Sequence, residues 1–212
     1  MQAESKSTIY PAASFLHTIT YLVSGCADIF LQHDVYCRVQ LPGYPDRDVP
    51  WLPKLGLQFR LPDDMQKITW YGRGPWETYP DRMSGAKMGL YSLELAEIQI
   101  PYIIPQDFDN RSQVKWTLLS RENRSGLLIV AENAMNVSVN PYDNLDEAWY
   151  PFELKRTKRA RLNIDFKVTG VGGTPIQVQA PYRTYPDRYS YRLRIRPVSG
   201  IDNIVDIARE EF

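Results

Sequence analysis

A chain of 212 residues has room for one large domain or two small ones, with a sizeable core either way. Its 25 basic and 25 acidic side chains cancel, which disfavours nucleic acid as a partner, and no run of about 18 apolar residues marks a membrane span. The aromatic content, 14 Tyr and 5 Trp among them, suits strands and sandwich cores, and equally suits stacking on the apolar face of a sugar.

The opening residues, MQAESKSTIYPAASFLH, lack the basic-then-apolar order of a signal peptide, and residues 1–14 are read as an N-terminal extension. Period-two alternation starts at Phe15. Phe15, His17, Ile19 and Tyr21 face one way and Leu16, Thr18, Thr20 and Leu22 the other, which predicts a strand to Val23. Further strands are predicted at Asp28–Gln40, Leu55–Leu61, Lys67–Tyr71, Gln113–Ser120, Gly126–Glu132, Arg161–Asp165 and Tyr189–Arg196. The 16 prolines concentrate between these runs, where a missing N–H does no harm. Cys26 and Cys37 fall in what read as neighbouring strands, so a bridge is conceivable. The chain has no disulfide-dense pattern, however, and two buried free thiols are expected. No CxxC or Cys/His cluster points to a metal.

Helices are predicted at Asn144–Pro151, capped by Asp143 or Asn144, and in the tail from Asp202 to Phe212. There Asp202 would cap an apolar stripe of Ile204, Val205, Ile207 and Ala208. Many short strands and few helices argue for an all-β sandwich or barrel. The tetrapeptide YPDR recurs at Tyr44–Arg47, Tyr79–Arg82 and Tyr185–Arg188. Pro followed by Asp is turn chemistry, and two of the three copies need no other explanation.

The remaining copy belongs to a longer motif. Trp70–Arg82, WYGRGPWETYPDR, resembles the W-x-G-x-G-P-x-E-x-Y-P-D-R signature in the C-terminal domain of β-galactosidases, the large multidomain glycoside hydrolases. Three later segments agree in order and spacing. Ile100–Arg111, IPYIIPQDFDNR, is similar to the family's V-P-Y-x-x-P-Q-E-N-G-N-R, with Asp107, Phe108 and Asp109 standing for Glu, Asn and Gly. Leu162–Gly173, LNIDFKVTGVGG, resembles L-N-x-D-x-x-x-x-G-V-G-G, and Tyr189–Pro197, YSYRLRIRP, resembles the closing strand. The resemblance implies an antiparallel super-sandwich of the galactose-mutarotase type over residues 15–197, truncated on its N-terminal side, with a tail at 198–212. A truncated sheet leaves an open edge, so self-association is expected.

In that family the two carboxylates of retaining β-galactoside hydrolysis sit on a preceding α/β barrel, together with the Mg and Na sites. The resemblance thus implies a piece that is not catalytic by itself, holds no cofactor, packs on the barrel and flanks the β-galactoside. Glu77 and Asp81 share one loop, but Arg73 and Arg82 flank them. A neighbouring guanidinium keeps a carboxylate ionised, which suits loop ordering better than acid catalysis. Gly72 and Gly74 are read as giving that loop backbone freedom and Pro75 and Pro80 as fixing its turns, with Tyr79 completing it.

The family places a galactose-stacking Trp soon after the glycine turn. Here Gly172 and Gly173 are followed by TPIQVQAPYRTYP, without Trp, which leaves Tyr182 or Tyr185 as the candidate ring. Trp76 is a candidate to face a ligand or a neighbouring domain, Trp70 and Trp116 are expected in the core, and Trp51 at an edge. Two other functions stay open. One is a stand-alone carbohydrate-binding or structural module. The other is an aldose 1-epimerase, whose acid and base would have to come from His17 or His33 with a Glu, and neither pairs with a definite Glu in the sequence.

Overall fold

The structure, a computed structural model, describes residues 2–10, 13–39, 51–173, 176–200, 202–210 and 212. The first YPDR copy, at 44–47, lies outside the described residues. Among the described residues ten strands run in chain order: β1 (Gln2–Tyr10), β2 (Ala13–Val23), β3 (Ile29–Val39), β4 (Lys54–Arg60), β5 (Lys67–Gly74), β6 (Lys87–Glu94), β7 (Arg111–Ser120), β8 (Gly126–Tyr142), β9 (Arg156–Val168) and β10 (Arg188–Val198). One short helix follows, α1 (Ile204–Arg209). The protein is all-β and antiparallel in each of its pairings.

The strand order is β1-β2-β3-β10-β8-β7-β5-β6, with β9 branching from β8 and β4 lying beyond β9. The branch arises within β8. Its first half, Gly126–Ala131, pairs with β10, and its second half, Asn136–Tyr142, pairs with β9. The strand thereby passes from one layer of the sandwich into the other. Between the layers lies the main core, in which Leu31, Ile68, Trp70, Leu119, Ile129 and Leu193 meet Val137, Val139, Leu162 and Ile164. Period-two alternation feeds it: Ala160, Leu162 and Ile164 are buried in this core while Arg161, Asn163 and Asp165 take the other face of β9.

Trp70 and Trp116 are buried as expected. The segment read as an extension carries β1, which pairs with β2 from Gln2↔Thr20 to Tyr10↔Ala13. The helix expected at Asn144–Pro151 is absent. A single turn forms, Glu147 and Ala148 donating to the Asn144 carbonyl at 3.1 Å, and then a 3-10 turn spans Pro151–Glu153. Tyr150, preceding proline, is extended at φ −133°, ψ 149°, as steric conflict with the proline ring requires, so the helix cannot propagate through it. The Asn144 side chain instead closes the loop, accepting from Lys155 N–H at 2.7 Å and donating to the Glu153 carbonyl at 3.0 Å.

Both thiols are free, but only Cys37 is buried; Cys26 sits exposed in the turn between β2 and β3. The tail helix forms, with Asn203 rather than Asp202 at its N-cap position. Ile204, Ile207 and Ala208 pack on Trp116, Leu128, Val130 and Val198, whereas Val205 turns outward. Arg194 and Arg196 of β10 fasten its far end. The Arg194 guanidinium reaches the Ile207 carbonyl, and Arg196 pairs with Glu210 at 2.8 Å and with Asp28. Cations against the last carbonyls of a helix complement its dipole.

Candidate functional site

The two most specific motifs meet at one corner of the sandwich. β5 delivers the chain to the loop that starts at Gly74–Pro75, a cis peptide. Within it Glu77 is fully engaged: Arg82 donates to its Oε1 at 2.6 Å, Asp109 N–H to its Oε2 at 3.0 Å, and the Tyr102 hydroxyl also donates to it. Tyr79 and Arg82 exchange backbone hydrogen bonds at 2.8 and 3.2 Å, the Arg82 guanidinium lies over the Tyr79 ring, and burial pushes the Tyr79 hydroxyl up from its ordinary range. Asp81 crosses to the glycine turn, its carboxylate accepting from Val171 N–H at 3.0 Å and Gly172 N–H at 2.7 Å.

Two glycines of that turn are required sterically. Gly172 has φ +63°, and a side chain at Gly170 would overlap the Asp81 carboxylate. Gly173 closes the turn by donating to the Ile176 carbonyl at 3.0 Å. Gly72 and Gly74 differ from expectation. They lie in regular strand, and what they provide is closeness, since a Cβ would come within 2.8 Å of Val114 at the first and 2.6 Å of the Tyr91 ring at the second. Arg73 also departs from expectation. It turns away from both carboxylates to reach Gln113 at 2.7 Å and the Ala86 carbonyl at 2.8 Å, because neighbouring strand residues face opposite sides of the sheet.

Of the candidate rings, Trp76 is 70 % exposed, Tyr182 38 % and Tyr185 37 %. Tyr182 belongs to the junction, its carbonyl accepting from Gly170 N–H at 2.8 Å. The Tyr185 carbonyl accepts from the Tyr189 hydroxyl, and Thr184 between them bridges to Leu52. The corner therefore gathers the signature loop, the glycine turn and Tyr182 around Asp81. Replacing Asp81 with Ala removes two charge-assisted bonds, and we expect it to cost about 1–2 kcal/mol and to speed amide exchange at Val171 and Gly172; protection unchanged from that of the unsubstituted chain would show that another contact holds the turn.

Two features here escaped sequence reading. Asp109, where the family pattern has Gly, sits at φ +66° and holds Arg111 at 2.6 and 2.7 Å. The buried Arg111 guanidinium in turn lies 4.1 Å from the Trp70 ring centroid. Asp165 is 4 % exposed and its carboxylate accepts no hydrogen bond among the described residues, although its backbone carbonyl accepts from the Asn136 side chain; burial pushes its carboxyl up to about 7, Lys54 opposing and Asp107 adding. Lys54 and Asp107 themselves pair at 3.1 Å. A polar residue every second position between core residues, as in Arg161, Asn163 and Asp165, was the available signal.

Among the described residues, His33 forms no acid–base pair with a Glu. His33 is buried between His17, at 3.0 Å, and the Tyr191 hydroxyl, at 2.7 Å; burial, then His17, push it down to about 4.

Comparison with known proteins agrees with these motifs. The chain matches the family described as beta galactosidase small chain over residues 2–195. It is 25 % identical over 209 residues to a β-galactosidase of Priestia megaterium, covering 93 % of this chain and 20 % of that protein. It is 31 % identical over 185 residues to one of Vibrio vulnificus, covering 85 % and 17 %, and 33 % identical over 154 residues to one of Vibrio cholerae, covering 70 % and 14 %. The chain thus spans a fifth or less of the length of these relatives. With the family matched over nearly its whole length and the Asp81 junction built from the two motifs that carry the likeness, this chain belongs to the β-galactosidase small-chain family.

Proposed function

We propose that this chain is the C-terminal part of a longer retaining β-galactosidase, packing on a separate catalytic barrel and flanking the β-galactoside bound there. The observation that carries the reading is the corner around Asp81, which holds the signature loop and the glycine turn together and leaves Trp76 and Tyr182 exposed beside them. Retaining hydrolysis needs a nucleophile and an acid about 5–5.5 Å apart. Glu77 is committed to Arg82, Tyr102 and Asp109, and Asp81 to two amides. Neither is available for that work, so the chemistry belongs to the barrel, as do the Mg and Na ions. Self-association belongs to the same reading, because β1 has a neighbour on one side only among the described residues.

Two measurements test it. The chain alone should not hydrolyse a chromogenic β-galactoside, and mixing it with the separately expressed barrel should restore turnover; enzyme-like rates from this chain by itself would overturn the assignment. In the full-length enzyme, Tyr182→Ala should raise KM about tenfold or less, the value of one aromatic contact, with kcat less affected. An unchanged KM would remove Tyr182 from the sugar's surroundings.

A further inference from the structure

Strands β1, β2 and β3 form a ribbon whose backbone pairing to the rest of the sheet, among the described residues, runs through β3 and β10, from Ile29↔Ile195 to Tyr36↔Arg188. In the middle of this seam a short polar chain lies within apolar surroundings. His33 stands directly across from Ile19 on β2 and from Tyr191 on β10. Its ring is buried and both nitrogens are engaged, Nε2 with His17 Nδ1 at 3.0 Å and Nδ1 with the Tyr191 hydroxyl at 2.7 Å. The two imidazoles stack with centroids 5.3 Å apart. From the other layer, the Phe166 ring stacks on Tyr191 at 5.1 Å. Side chains from β2, β3 and β10 thus meet in one hydrogen-bonded series across the seam.

Such a series holds a limited number of protons. A neutral imidazole donates at one nitrogen and accepts at the other, and a hydroxyl does both, so neutral rings satisfy every bond. One added proton is tolerated too, since a cationic His33 donates to the His17 lone pair and to the tyrosine oxygen. A second proton sets N–H against N–H between like charges, and the 3.0 Å bond is lost. The surroundings offer little relief. Opposite His17 stand Ser5 on β1 and Val35 on β3, and Leu31 and Val35 flank His33 on its own face. Asp34, on the other face of β3, favours a charged His33, but burial and His17 outweigh it. Burial also holds His17 below its ordinary value. On β9, Asp165 adds to burial in keeping the Tyr191 hydroxyl neutral, and Lys167 lies over the Phe166 ring.

We propose that His17, His33 and Tyr191 form an acid-sensitive latch, which holds the β1–β3 ribbon on β10 while one of the two facing imidazole nitrogens keeps its lone pair and releases it when both are protonated. A histidine in the released ribbon titrates near 6.5, and His33 in the latched one at about 4. Above the higher value neither is charged and the latch is fully effective. Between the two the released ribbon binds a proton that the latched one excludes, so opening grows as pH falls, by up to about tenfold per unit. Below the lower value this group adds nothing more. Asp165 takes up its proton in the same window, but that stabilises the fold as a whole, the opposite sign. Asp28, at the start of β3, is kept ionised by Arg196 and titrates below the window.

The test is amide hydrogen exchange of the 212-residue chain near pH 7 and near pH 5, read by two-dimensional NMR, with the amides of β5 and β7 as internal reference. Corrected for the intrinsic pH dependence of exchange, protection across Ile29–Tyr36 should fall roughly tenfold or more relative to that reference. His33→Gln, whose amide donates and accepts without titrating, should remove the fall and leave the ribbon protected near pH 7. His17→Gln, at the less buried ring, removes the second charge and should flatten the fall even where the His33 variant does not fold. Equal loss of protection in the ribbon and in β5 and β7, no fall in the unsubstituted chain, or a fall undiminished in either variant would each overturn the latch.

Discussion

Asp165→Asn should make the protein more stable above pH 7 and no more stable near pH 4. The carboxyl of an unfolded chain titrates near 3.9, whereas burial raises that of Asp165 to about 7. Below the lower value both states are protonated and nothing is gained or lost. Between the two the folded chain holds one more proton than the unfolded chain, so stability falls as pH rises, by about 1.4 kcal/mol per unit. Above 7 both forms are ionised and the full penalty, roughly 4 kcal/mol, is present. Asparagine keeps the shape and never ionises, but its buried amide nitrogen then lacks a partner, at about 1–3 kcal/mol. The expected net gain is therefore about 1–3 kcal/mol at pH 8, vanishing or reversing at pH 4. Urea unfolding at both pH values measures it, and a difference between variant and unsubstituted chain that ignores pH would show that Asp165 ionises freely in the fold.

The largest loss is expected at Arg111. Its side chain is 2 % exposed, binds the Asp109 carboxylate through two nitrogens and the Asp109 carbonyl at 2.9 Å, and covers the Trp70 ring. Arg111→Met keeps the apolar stem while leaving the Asp109 charge buried and unpaired, at about 3–5 kcal/mol. The loss should extend to the loop, because Asp109 N–H holds Glu77. Adding Asp109→Gly should recover much of it. It removes the stranded charge, and glycine suits the φ of +66° found there. Chemical denaturation of the two single variants and the double variant gives the coupling energy, expected to exceed about 2 kcal/mol. Additive effects would mean that the pair contributes nothing as a pair.

Most of the sheet was legible because alternation and burial agree in it. Phe15–Val23 and Tyr189–Arg196 show the period directly, and β2 and β10 contain both. β6 was missed for a physical reason. As an end strand it has one neighbour, and Met88 and Leu90 remain exposed, so no apolar face stands out against a polar one. β8 was cut short at Glu132 because its continuation carries Asn136, Ser138 and Asn140, which read as solvent-facing. Ser138 and Asn140 are instead buried. At the Asp81 corner the motifs were readable, but their meeting was not. Val171 is 90 positions away along the chain, and no local rule reports such a contact. Nor could spacing alone say that Arg73 would take Gln113 while Arg82 took Glu77.

The place of β10 governs how the molecule is made. It comes last of the strands in the chain, yet lies between β3 and β8 in the middle of the sheet. A nascent polypeptide emerging from the ribosome therefore has its two halves ready before the staple that joins them. Until Arg188–Val198 is out, the inner borders of β3 and β8 are unprotected ladders open to foreign strands, which makes late synthesis the interval of greatest need for a chaperone.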